Sequence, residues 1–449
     1  MPPRLHSPSR AGTGSRIKHV LRNIGLVLGG IILLVFALIG FFFTFRGTPI
    51  RTVRQMSRDN SAPPVSSATF RETMELFTGT PLLAGNQVAI MINGDQTYPR
   101  LWADLRGAKK SITIQLYYCN PGRMAEEFKQ IVTERARAGV RVHFLYDTFG
   151  AGPLPASYFS ELRRAGVLVA GFRPVKWYAL HKIQQRSHIR VVVVDGHIGY
   201  TGGFGLDDKW YGDGRHRDQW RDSNVRFTGP AVLQLQATFA AGWAEATGEL
   251  LTGSQYFPFE PFVQQARGVA GLMHTAPTLG STAAERYFAL SIAGAEHTLY
   301  ISNSYFVPDD DFRSLLKKAA ARGVDVRILT AGPATDVKTT WYAGRARYEE
   351  LLAARVRIFE YQPVMMHAKS LVADGLWSSV GTMNFDNRSL AFNDESDLNM
   401  LDRESGATMD SIFLEDLRYS REITLPEFRK RPWREKIWER IVNLASRAL

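Results

Sequence analysis

The chain contains itself twice, and that duplication limits what it can fold into more than any other feature. In the first copy SITIQLYYCNPG (111–122) has a strand pattern, MAEEFKQIVTERARAG (124–139) has helical apolar spacing, and VRVHFLYDTFGAGP (140–153) is a second strand with its turn. In the second copy HTLYISNSYFVPDD (297–310), FRSLLKKAAARG (312–323) and VDVRILTAGPATD (324–336) follow in the same order. ELRRAGVLVAGFRP (161–174) and ELLAARVRIFEYQP (350–363) then match in pattern and length. Strand–helix–strand alternation implies parallel strands joined by right-handed crossovers. The expected class is α/β: two halves related by a pseudo-twofold axis, each a mostly parallel mixed sheet flanked by helices.

Each copy then reaches the same polar cluster. HIRVVVVDG (188–196) carries His188, Arg190 and Asp195; HAKSLVADG (367–375) carries His367, Lys369 and Asp374. A strand covered on both faces accounts for the run of valines. It gives no reason to keep a histidine, a cation and a carboxylate at fixed spacing in both halves. Gly-rich turns follow, YTGGFG (200–205) and SVGTMN (379–384), and then WRDSNVRF (220–227) and NDESDLNM (393–400), which set Asp222 opposite Glu395. Residues i and i+2 of a strand share a face, so each histidine points the same way as its cation. Asp195 and Asp374 fall at the far end, where a carboxylate suits a structural anchor of the turn.

Two such pairs meeting over one pocket suit a phosphate oxyanion, bound by charge-assisted hydrogen bonds. One imidazole attacks phosphorus; the other protonates the leaving alcohol and later deprotonates the acceptor. No metal is then required. A histidine used this way needs a carboxylate to fix its tautomer, and Asp222 and Glu395 are the candidates.

The chain's 449 residues have a net charge of +12, which first suggests nucleic acid. Residues 1–58, however, hold nine Lys or Arg and no Asp or Glu, leaving only +3 for the rest. That excess brackets IGLVLGGIILLVFALIGFFFTF (24–45), 22 uncharged residues. At 1.5 Å per residue they span about 33 Å, enough for a bilayer core. The expected layout is a basic tail (1–23), a membrane helix (24–45), a polar linker (46–80), and two catalytic halves (81–255 and 256–449). Basic residues on both sides leave the orientation open. A single cysteine, Cys119, excludes an internal disulfide.

MMHAKSLVADGLWSSVGTMNFDNRS (365–389) resembles the second signature of the phospholipase D superfamily, and SHIRVVVVDGHIGYTGGFGLDDKW (187–210) resembles the first. Over roughly residues 90–445 the chain is most similar to the bacterial cardiolipin synthase branch. The resemblance implies ping-pong transfer through a phosphohistidine. His188, Arg190, Asp195, His367, Lys369 and Asp374 would form the catalytic set, with His188 as nucleophile, His367 as acid/base and Asn384 on the phosphate. It further implies phosphatidylglycerol as substrate, no cofactor, no nucleic acid, and a single-pass protein of a bacterial inner membrane. Two positions depart from the pattern: Arg190 stands where Lys is usual, and Gly205 where Asn is frequent. The alternatives are a phospholipase D or other phosphodiesterase with water as acceptor, then a nuclease, then an inactive membrane scaffold.

Other features have two readings each. His181 and Lys182 suit a pocket mouth or a solvated loop. Tyr117, Tyr118, Tyr305 and Phe306 suit a site floor or plain core. The C-terminal RKRPWREKIWERIVNLASRAL (429–449), with Trp433, Ile437, Trp438, Ile441, Leu444 and Ala448 at helical spacing, suits a membrane surface or a domain contact. The acidic residues of GFGLDDKWYGDG (203–214) lack the spacing of metal ligands.

Overall fold

A computed structural model describes residues 13–44, 50–54, 62–174, 185–258, 267–277 and 282–444. The first half supplies β1 (Leu83–Ile92), β2 (Ser111–Leu116), β3 (Arg141–Asp147), β4 (Leu168–Phe172), β5 (Val191–Val194), β6 (Ile198–Gly202), β7 (Trp220–Arg221) and β8 (Ser223–Thr228). The second supplies β9 (Gly268–Thr275), β10 (Thr298–Asn303), β11 (Asp325–Ala331), β12 (Arg357–Tyr361), β13 (Met365–Met366), β14 (Lys369–Ala373), β15 (Trp377–Gly381), β16 (Glu395–Leu401) and β17 (Ser420–Ile423). All but β7 and β13 join one sheet, ordered β17-β12-β11-β10-β14-β15-β16-β9-β1-β8-β6-β5-β2-β3-β4. Outward from the central β9–β1 pair both arms run through the same roles, and β17 is an extra edge strand.

The sheet is mixed but not mostly parallel, a correction to the expectation from sequence. Parallel pairing is confined to β2-β3-β4 and β10-β11-β12, the repeated strand–helix–strand units. The strands after each motif histidine form antiparallel hairpins, β5–β6 and β14–β15. The cause is local. Asp195 and Gly196 have φ of 53° and 72°, and Asp374 and Gly375 have 53° and 57°. Left-handed backbone at two successive residues closes a tight hairpin, with His197 N donating to Val194 O (3.0 Å) and Leu376 N to Ala373 O (3.1 Å). A crossover helix makes neighbours parallel; such a turn lays the chain back against itself.

The valine run has its explanation in the same place. Val191 and Val193 enter a core shared by both halves, with Phe227, Leu272 and Leu398. Val192 and Val194 enter the outer core of the first half, with Ile114, Phe144 and Tyr200. Both faces of β5 are covered, so alternation disappears.

Part of the expected linker is structured. Ala68–Thr78 is a helix whose N-cap Ser67 accepts from Phe70 N at 3.1 Å. Its Phe70 and Met74 are buried in the outer core of the second half, Phe70 edge-on to Trp377 with centroids 5.3 Å apart. As a separate unit, Thr13–Thr44 is one helix. Its Lys18–Leu38 stretch is the one segment among the described residues long and apolar enough to cross a membrane. The helix thus begins before residue 24, and Phe45 lies outside the described residues.

Candidate active site

Both histidines lead into hairpins of the shared core, and both are held across the molecule. His188 N donates to Asp394 O (2.9 Å), and His367 N donates to Arg221 O (2.6 Å). The lead-in to one half's motif therefore pairs with the lead-in to the other half's carboxylate, as β13 does with β7. The side chains repeat the crossing. His188 Nδ1 lies 2.8 Å from Glu395 Oε2, and His367 Nδ1 lies 2.7 Å from Asp222 Oδ2. The sequence named these carboxylates without assigning partners; each histidine takes the one from the opposite half.

The cations are anchored alike. Arg190 Nη1 donates to His188 O at 2.5 Å, and Lys369 Nζ donates to His367 O at 2.5 Å. Lys369 also reaches Ser304 Oγ (3.0 Å). At the repeat-equivalent of Ser304 stands Tyr117, and Arg190 instead uses Nε toward Phe204 O (3.3 Å). The longer, forked side chain reaches an acceptor in the turn that a lysine has no second donor arm to hold. All six side chains are buried.

Burial, then the neighbouring Arg190, holds His188 well below the usual imidazole range, and burial with Lys369 brings His367 down to about 3. Both rings are neutral near pH 7. An ionised carboxylate only accepts, so opposite ionised Asp222, and opposite Glu395 in its ionised form, Nδ1 carries the proton and Nε2 keeps a free lone pair. Burial raises Asp222, but His367, Lys369 and Trp210 outweigh it and hold its carboxyl below the ordinary value. Glu395 is pushed up to about 7 by burial, and Lys369 down to about 7 by the same cause.

Asp195 and Asp374 do not join the cluster, despite their place in the signatures. Asp195 accepts from the backbone N–H of Lys109 (2.9 Å), Lys110 (2.7 Å) and Ser111 (2.9 Å). Asp374 accepts from Glu296 (2.9 Å), His297 (2.7 Å) and Thr298 (2.8 Å). Each pins its hairpin turn to the start of the neighbouring strand, away from the histidine end. Asn384 is buried just beyond β15, and its Oδ1 has no hydrogen-bond partner among the described residues. Gly205 cannot be replaced by asparagine without displacement. A Cβ there would sit 2.9 Å from Tyr118 O and 3.0 Å from the Trp210 ring.

Several residues of the site were not anticipated. Trp210 Nε1 donates to Asp222 Oδ2 (2.8 Å), and the Trp210 and Trp220 rings lie 5.3 and 4.9 Å from His367. Thr382 Oγ1 (2.6 Å) and Asn393 Nδ2 (3.1 Å) donate to Glu395. The signal for Thr382 was its place in the turn after the second motif; the tryptophans had none. Tyr117 packs edge-on to His188 (5.3 Å), Tyr118 on Trp210 (5.3 Å), and Tyr305 donates to Asp336 (2.8 Å); Phe306 is core. His181 and Lys182 lie outside the described residues. Asp207 accepts from the nearby Lys209 N, and Asp208 accepts from Arg123 and Met124 N at the start of the helix Arg123–Arg137. Among the described residues no three His, Cys, Asp or Glu side chains are grouped to hold a metal.

A chain of known kind shares this sequence over most of its length. It is 34% identical over 367 residues to a cardiolipin synthase of Geobacillus kaustophilus, covering 82% of this chain and 73% of that one. The chain belongs to the cardiolipin synthase family. Cardiolipin synthase 2 of Bacillus anthracis is 35% identical over 79% of this chain and 69% of its own. The family model described as cardiolipin synthase, PLD-like domain, matches residues 290–417. Among solved structures, phosphatidylserine synthase of Haemophilus influenzae superposes with a TM-score of 0.65 at 13% identity, over 85% of this chain and all of that one, which shows the shared fold.

Proposed function

We propose that the chain is a membrane-anchored phosphatidyltransferase that converts two phosphatidylglycerols to cardiolipin and glycerol. The observation that carries the mechanism is the crossed pairing, which leaves two neutral imidazoles with free Nε2 atoms beside two cations. When the anionic phosphodiester binds, His367 takes up a proton from solvent at Nε2, its imidazolium paired with Asp222. His188 Nε2 then attacks the phosphorus of the first lipid, the P–O bond to glycerol breaks, and the departing glycerol oxygen takes that proton from His367. The phosphatidyl group is then carried on His188. His367, deprotonated by that transfer, takes the proton from a hydroxyl of the second phosphatidylglycerol as its oxygen displaces His188. Arg190 and Lys369 balance charge on the phosphoryl oxygens as it builds, aided by Asn384. Asp222 and Glu395 hold the tautomers and stabilise imidazolium as it forms. The apolar N-terminal helix supports a single-pass anchor, and the family supports a bacterial inner-membrane setting.

Incubation of the purified protein with phosphatidylglycerol alone tests the reading. Cardiolipin with equimolar glycerol is the expected product pair, formed equally in excess EDTA. Phosphatidic acid in place of cardiolipin would assign water as the acceptor, and no turnover would remove the enzyme reading.

A further inference from the structure

The C-terminal helix Trp433–Leu444 is mounted with its apolar side outward. Its Glu439 is 1% exposed, held by Arg345 Nε (3.2 Å) and Arg431 Nη2 (2.8 Å). Val442 is likewise buried, against Val307 and Ala343. On the other side Trp433, Ile437, Trp438 and Ile441 are 66, 46, 51 and 50% exposed. At ~100° per residue these four fall within an arc of about 140°, while Glu439 and Val442 lie outside it. Water-facing helices place glutamate outside and tryptophan inside. Here a buried ion pair fixes the reverse, so rotation to hide the indoles would pull Glu439 away from Arg345 and Arg431.

What suits such a face is set by its charge. Arg434 and Arg440 are exposed on the same helix, and Arg429 and Lys430 just before it. Trp and Ile beside Arg and Lys match the headgroup boundary of an anionic bilayer, where indoles sit at the interface and cations meet phosphates. The helix beneath, Lys338–Arg345, starts two residues after Asp336, which accepts from Tyr305 Oη at 2.8 Å. The Tyr305 ring in turn lies 5.9 Å from Lys369 Nζ.

We propose that the exposed face of Trp433–Leu444 docks on an anionic lipid bilayer, as a membrane contact additional to the N-terminal helix. The proposal rests on reading the substrate as a bilayer lipid. Docking there places the second-half rim of the site against the surface that holds the substrate.

The test uses the full chain. Cys119 is fully buried, so Trp438→Cys offers one accessible thiol for an environment-sensitive fluorophore. The protein is reconstituted in vesicles of phosphatidylcholine, with or without phosphatidylglycerol, containing shallow spin-labelled lipid. Quenching of at least about twofold with phosphatidylglycerol is expected, with little at a Leu414→Cys control. Trp433→Ser with Trp438→Ser and Ile441→Ser should lower kcat/KM on vesicle phosphatidylglycerol about tenfold, the order of one partly buried apolar side chain. Turnover of a soluble short-chain phosphatidylglycerol should stay within about twofold, since no residue of the site is changed. Equal quenching at both positions, no quenching, or a shift that follows protein concentration instead of lipid overturns the proposal. If the unmodified protein turns over neither substrate, the phosphatidyl-transfer reading falls, and quenching alone still decides docking.

Discussion

The two histidines are anchored alike and walled differently. His367 lies between two indoles, and one of them shares its carboxylate. His188 faces a single phenol ring, and its carboxylate is held by a threonine hydroxyl and an asparagine amide. The two carboxylates also differ electrostatically. Asp222 is kept ionised below its ordinary range, whereas burial pushes Glu395 up to about 7. The two copies keep these groups in matching positions, while the proton affinities of the two carboxylates are shifted in opposite directions.

The strongest way to break this comparison is to remove one ring at a time. His188→Ala and His367→Ala should each lower kcat by at least about 10³–10⁴-fold, and the double variant should be little worse, because the rings act as a unit. Additive losses, measured by product formation, would mean that the halves work separately.

Next come the carboxylates. Asp222→Asn should cost about 10³-fold or more in kcat, as loss of a tautomer-fixing aspartate does. Glu395→Gln should cost less, about 10²-fold at pH 7 and less still at pH 6, because a group near pKa 7 is already largely protonated at the lower pH. The sign is fixed by direction. The Glu395 charge is present above about pH 7 and lost as pH falls; the Lys369 charge is present below about pH 7 and lost as pH rises. Wild-type kcat/KM should therefore peak near pH 7, and Glu395→Gln should flatten only the acid limb. An unchanged acid limb in that variant would assign the titration to another group.

Arg190 sharpens the comparison of cations. Arg190→Ala should lower kcat/KM about 10²–10³-fold, the scale of one preorganised donor. Arg190→Lys should retain most activity, with the Phe204 carbonyl losing the Arg190 Nε donor. Near-wild-type kinetics in the alanine variant would leave phosphate binding to the second half alone.

The smallest effect tests the departure at Gly205. Gly205→Asn restores the commoner family residue but meets the Trp210 ring and Tyr118 O. A destabilisation of about 1–3 kcal/mol by denaturant unfolding is expected, as for overpacking. Wild-type stability with higher activity would show that the indole merely fills a vacancy.

Much of this was legible in one sequence because duplication is a controlled experiment. Spacing shared by two diverged copies marked His188, Arg190, His367 and Lys369, and local pattern gave the parallel β2-β3-β4 and β10-β11-β12 units. The hairpins were written in Asp-Gly at 195–196 and 374–375, and the unbroken apolar run masked them. The crossing of histidine and carboxylate was out of reach, since partners 207 and 145 residues apart are set by how the halves pack. Trp210 and Trp220 belong to one half only, so no second copy pointed to them. The helix Ala68–Thr78 hid in a stretch whose polar start resembled a tether.

The crossed pairing also sets a timetable for synthesis. A growing chain that has emerged as far as residue 250 already holds His188, Arg190 and Asp222, but His188 has no Glu395 to orient it and Asp222 has no His367 to hold. Glu395 is the last of the four to leave the ribosome, and the two histidines acquire their partners only when the second arm of the sheet closes on the first. On the proposed mechanism, phosphoryl transfer therefore waits for completion of the fold, and a truncated or half-made chain is expected to be chemically silent toward lipid.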